Sequence, residues 1–152
     1  MFGSTFVPGG GGAPAPKPEV ISFTPSWASG VTVGNGVQIG LYTLNGKRCS
    51  GNVKLTLGST SVIGTDVILY SPLPMHPSLQ TYMTIGAVGL IDAGISLYMG
   101  EAIVHYQPSG LISARVINAS GTYAVWGYVS AGVPFAWASG DMITIEFDYL
   151  TP

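Results

Sequence analysis

Beyond residue 19, apolar and polar residues alternate along most of the chain. In Met142–Leu150, Ile143, Ile145, Phe147 and Tyr149 fall on one face and Met142, Thr144, Glu146 and Asp148 on the other. A period of two is the pattern of a half-buried strand. Arg48–Leu57 alternates in the same way, with Val53, Leu55 and Leu57 opposite Lys54 and Thr56. Between it and a strand at Val37–Leu44 stands Asn45-Gly46, which predicts a type I′ hairpin because both residues tolerate positive φ. Further strands are predicted at Val20–Trp27, Val62–Tyr70, Tyr82–Ile91, Ile95–Tyr106, Leu111–Ile117 and Tyr123–Ser130. The run SPLPMHP, Ser71–Pro77, cannot pair inside a sheet, since proline lacks the N–H a ladder needs. No segment carries a helical period.

Composition supports this reading. The 22 glycines and 11 prolines supply turn chemistry that breaks long helices. The chain of 152 residues has the size of one domain. We therefore expect an all-β fold, a single jelly-roll-like antiparallel β-sandwich over residues 19–152. Residues 1–18 differ: GGGG at Gly9–Gly12 is flexible and APAPKP at Ala13–Pro18 favours extended polyproline II. This extended Gly/Pro-rich N-terminal arm is expected to dock on a neighbouring subunit through Phe2, Phe6 and Val7.

Charge narrows the partners. Only 8% of residues are charged and the net charge is −2. Five basic residues, Lys17, Lys47, Arg48, Lys54 and Arg115, are too few for a groove that tracks a nucleic-acid backbone. No uncharged apolar stretch reaches the ~18 residues of a membrane-spanning helix, and the N-terminus lacks the basic and apolar regions of a signal peptide. A soluble protein with neither nucleic-acid nor membrane partners is expected, its apolar excess hidden against other subunits. The single cysteine, Cys49, cannot form an intrachain disulfide and fits synthesis in a reducing cytoplasm.

Candidate chemistry is sparse. His76 and His105 have no His or Cys at metal-ligand spacing, so no metal or cofactor is expected. Glu146 and Asp148 share one strand face, where paired carboxylates serve glycoside hydrolysis or calcium binding. A solvated or subunit-paired face is the commoner outcome. Asp141 after Gly140 has the pattern of a turn residue capping nearby amides. Trp27, Trp126, Trp137, Tyr123 and Tyr128 suit a sugar platform, a sandwich core or a subunit interface; Trp126 and Tyr128 are the candidates for glycan or interface contact. With no G-x-S-x-G, P-loop or dinucleotide fingerprint, no enzyme is expected.

Three segments together carry a resemblance: FTPSW (Phe23–Trp27), GNGVQIGLYTLNGKRCSGNVKLTLGSTSVIG (Gly34–Gly64) and VPFAWASGDMITIEFDYLTP (Val133–Pro152). They resemble the β-sandwich domain at the C-terminal ends of tail and minor structural proteins in actinobacterial phages. The resemblance covers most of residues 22–152. It implies a virion structural protein, made in the host cytoplasm, without enzymatic activity and often homotrimeric. The chain departs from the pattern in having an arm instead of a collagen-like or coiled-coil shaft, and Leu44-Asn45 where a basic residue precedes the hairpin glycine. These departures favour a small decoration or minor capsid protein docked by its arm on the major capsid protein. The rival is a minor tail or tail-fibre protein that binds host surface glycan.

Overall fold

The computed structural model describes residues 17–106, 109–118 and 124–152. Phe2, Phe6 and Val7 of the arm, and Tyr123, lie outside the described residues. The described chain forms ten strands: β1 (Val20–Phe23), β2 (Trp27–Thr32), β3 (Val37–Asn45), β4 (Arg48–Thr56), β5 (Val62–Tyr70), β6 (Thr84–Asp92), β7 (Ser96–Tyr106), β8 (Leu111–Asn118), β9 (Val125–Tyr128) and β10 (Met142–Leu150). Among the described residues there is no helix, and so none long and apolar enough to cross a membrane.

All pairings are antiparallel, and the strands join in the order β1-β3-β4-β10-β6-β7-β8-β5-β2, with β9 on β8. The expected all-β antiparallel class holds. The jelly-roll assignment is finer than this continuous ladder establishes. β1 and β2 end the order on opposite sides, yet only Thr24, Pro25 and Ser26 separate them in sequence. The sheet must therefore curl until its two edges meet. Gln38 on β3 stitches them: its side chain accepts from Trp27 Nε1 at 2.8 Å and donates to the Pro25 carbonyl at 3.2 Å.

Curling gives the sheet one inner face. The alternation read in β4 and β10 supplies it: Val53, Leu55, Ile143, Ile145, Phe147 and Tyr149 are all buried. Leu69 of β5, Leu90 of β6 and Ile112 of β8 add side chains with no exposed surface. Each such burial stabilises the fold by about 1.5–3 kcal/mol. Large rings fit because glycines face them: a side chain on Gly40 would collide with the Phe23 ring, and one on Gly51 with Phe147.

Two strand expectations need correction. The hairpin turn is Gly46-Lys47, not Asn45-Gly46, since Asn45 pairs with Arg48. Gly46 alone has positive φ there, at 59°, the sign pattern of a II′ turn with glycine first. The register moves by two residues, so every side chain keeps its face. The strand expected at Val20–Trp27 is two strands. Pro25 interrupts the ladder, and the chain crosses from one sheet edge to the other before continuing as β2.

Cys49, opposite Tyr149 at the core, has no exposed surface. Burial pushes its thiol pKa up, which lowers the thiolate fraction that reacts. Native protein should therefore leave a colourimetric thiol reagent unreacted at neutral pH. One equivalent should titrate on unfolding; rapid reaction of the native protein would contradict this packing.

Candidate functional site

On the outer sheet face, β7, β8 and β9 bring charged and aromatic side chains together. Register sets Glu101 opposite Arg115, Arg115 opposite Tyr128, and Ile117 opposite Trp126. Glu101 and Arg115 form an ion pair, and their side chains are only 16% and 17% exposed. Thr84 Oγ1 donates to the other Glu101 oxygen at 2.8 Å. The Arg115 guanidinium lies 5.9 Å from the Tyr82 ring centre and 5.6 Å from that of Trp126, both within cation–π range.

Arg115 Nε is buried, with no hydrogen-bond partner among the described residues. Such an atom costs about 1–3 kcal/mol. The carboxylate and the two rings offset that cost. Tyr82 has φ of +70°, rare for a side chain of its size. Its backbone N–H donates to Val104 and the next residue's carbonyl accepts from Val104, which holds it beside β7.

His105 and Ser113 continue the cluster. Ser113 Oγ and His105 Nδ1 are 2.7 Å apart, and the histidine ring meets Tyr128 edge-on at 5.8 Å. Ser113 has no exposed surface, so this pair cannot present a nucleophile. Burial pushes the Tyr128 phenol up, and the neighbouring Tyr82 adds to it while Arg115 opposes.

The structure thus brings Trp126 and Tyr128 together on one face. It adds Tyr82, Arg115 and Glu101, which sequence reasoning did not single out. The other tryptophans serve packing. Trp27 and Trp137 are half-buried against the core, and Trp137 Nε1 donates to the Ser130 carbonyl at 2.8 Å.

Glu146 and Asp148 line an open groove of about 370 Å³ with Ser50, Asn52, Ile85 and Gly86. Arg48 holds Asp148 with bonds of 2.7, 3.0 and 2.7 Å. That contact keeps the Asp148 carboxyl below the usual carboxylate range. A general acid of a glycosidase needs its pKa raised, so Asp148 is unsuited to that role. No group of three potential metal ligands occurs among the described residues.

A second feature lies beside the cluster. Two register rows cross the outer face of five strands: Val37, Thr56, Met142, Ile91, Leu97 and Ile39, Lys54, Thr144, Gly89, Met99. The rows span about 19 Å, four strand spacings. Lys54 is their only charge, while Val37, Leu97 and Met99 are 72%, 59% and 63% exposed. Exposed apolar side chains are thus contiguous across this face.

Comparison with family models, with curated proteins and with solved structures finds no match to this chain.

Proposed function

We propose that this protein is a structural subunit of a bacteriophage particle. It works as a homotrimer that decorates the capsid, docked on the major capsid protein by its N-terminal arm. The observation that carries this reading is the apolar outer face across β3, β4, β10, β6 and β7. A second copy suits that face: with a single charge among ten residues, it can be covered by another part of a neighbouring subunit, as a ring of three requires, with little desolvation of charge. Phage origin and trimer come from the sequence resemblance; arm docking comes from the Gly/Pro-rich segment with its apolar Phe2, Phe6 and Val7, and from the missing shaft.

Immunogold labelling of intact particles with antibody to residues 19–152 tests the particle role. Label over the head supports decoration; no label on any particle ends the virion reading. The assembly face has its own test. The double variant V37K/L97K places two cations on exposed positions, so the fold should be retained. Light scattering should show the wild-type oligomer falling to monomer. An unchanged mass rules this face out as the subunit contact.

A second reading is favoured by the aromatic cluster around Arg115: a minor tail or tail-fibre protein that recognises host surface glycan. Label confined to the tail tip, and an adsorption defect on deletion, would move the assignment there.

A further inference from the structure

We propose that Tyr82, Arg115 and Trp126 form a preorganised platform for a neutral saccharide. The binding rests on the cluster alone; its biological role rests on the receptor-binding reading above.

At this cluster two rings are both exposed and ordered. Tyr82 is 60% exposed and Trp126 is 45% exposed, although both rings lie against one guanidinium. The guanidinium is itself fixed by Glu101, and Glu101 by Thr84. Two large aromatic surfaces are thus open to solvent while their positions are set by a part-buried ion pair. Rigid exposed aromatics bind at low conformational cost, because little side-chain freedom is left to lose.

Charge selects the ligand. Arg115 and Glu101 neutralise each other and are mostly buried. The ion pair therefore presents no net charge, and neither an anion nor a cation gains from long-range attraction. What remains exposed is aromatic surface with a negative π-face. The C–H groups of a sugar ring complement such faces. The phenols of Tyr82 and Tyr128 supply convergent groups that donate to and accept from hydroxyls. A polynucleotide would also stack, but the chain carries a net charge of −2 and this site offers one cation already paired.

The test uses the full chain with a panel of neutral gluco-, galacto-, manno- and arabino-oligosaccharides. Tryptophan fluorescence and titration calorimetry are read up to about 10 mM, the weak end of measurable affinity. At least one neutral oligosaccharide should bind saturably. Tyr82→Ala and Trp126→Ala should each weaken it at least about tenfold, with Trp126→Phe recovering part. Both side chains are exposed but lie on Arg115, so each variant should melt somewhat below wild type while staying folded at the temperature of the binding measurement. Failure of the whole panel overturns the proposal, as does binding that survives both alanine variants. Tighter binding of a uronic-acid oligosaccharide than of its neutral counterpart overturns the charge argument and with it the ligand class. Binding by V37K/L97K alone would show that a second copy covers the platform, and the proposal fails for the assembled protein. Particle labelling is a separate readout, so a virion assignment can fail while saccharide binding stands.

Discussion

Gly86→Ala should lower the melting temperature by roughly 6–12 °C, the equivalent of about 3 kcal/mol for a domain of this size. β10 and β6 pair from Met142 to Ile145, and beyond that point the two strands run close without a ladder. A Cβ at Gly86 would overlap the Glu146 carbonyl oxygen and lie 2.6 Å from its carbonyl carbon. These are backbone atoms of a central strand paired along its whole length with β4. They cannot swing aside as a flexible side chain can. Relief requires β6 to move away from β10, which opens the sheet at its middle and uncovers the Phe147 side of the core. Gly132 supplies the control. Its Cβ would meet nothing within 4 Å and its φ is not in the left-handed region. Gly132→Ala should be neutral within about 0.5 kcal/mol. Equal effects at the two positions, measured by thermal melting, would show that the close approach at Gly86 is not what limits the sheet.

Strand identity was legible because alternation is a local property. β10 shows its buried face in four residues, Ile143, Ile145, Phe147 and Tyr149, and the structure buries all four. The order of strands was not legible. β10 sits between β4 and β6, far from both in sequence, and no pattern within a strand names its neighbours. β2 went unseen for a related reason. In Trp27–Thr32, Ala28, Ser29 and Gly30 interrupt the apolar alternation, and Gly30 takes positive φ where the ladder to β5 shifts register.

The candidate site shows the same limit at finer scale. Trp126 and Tyr128 are recognisable as exposed-type aromatics two apart on a strand. The Glu101–Arg115 pair is not. A regular ladder continued from the observed Tyr106–Leu111 pair sets, by simple counting, Ala102 opposite Arg115. A register shift between Val104 and Tyr106 moves the pairing by one residue and brings Glu101 to Arg115 instead. That single irregularity creates the ion pair, and through it the placement of Tyr82 and Trp126. A one-residue shift exchanges which residues meet across a ladder, and sequence alternation carries no record of it.

Asp141→Ala should cost about 3–4 kcal/mol, close to the Gly86 substitution but by a different route. Asp141 is only 2% exposed. Its carboxylate accepts from the backbone N–H of Ala93, in the β6–β7 turn, at 2.9 Å. Its other oxygen accepts from Ala138 N–H at 2.6 Å, the capping contact that the Gly140-Asp141 pattern suggests. The Asp141 backbone carbonyl accepts from Leu57 at 2.8 Å, and Gly140 N–H donates to the Leu57 carbonyl at 2.9 Å. One residue therefore ties three segments together: the exit of β4, the β6–β7 turn and the entry to β10. Alanine keeps the backbone bonds but leaves two N–H groups without their charged acceptor in a buried site. Hydrogen bonds to a charged group are worth about 1.5–3 kcal/mol each, and part of that loss is recovered by water entering the space. In urea the transition midpoint should fall while its slope stays constant, because the surface exposed on unfolding is nearly unchanged. Asp141→Asn tests the division of labour. Its single carbonyl oxygen can serve one N–H, while its amide group faces the other donor and repels it, so it should recover no more than half of the loss. Full recovery by asparagine would mean that one of the two bonds contributes nothing. The AWASGD segment carries much of the sequence resemblance, and in this structure Trp137 and Asp141 within it act in packing and loop anchoring. A variant at Asp141 should therefore lose stability before it loses any binding at the Arg115 cluster, which lies on strands it does not touch.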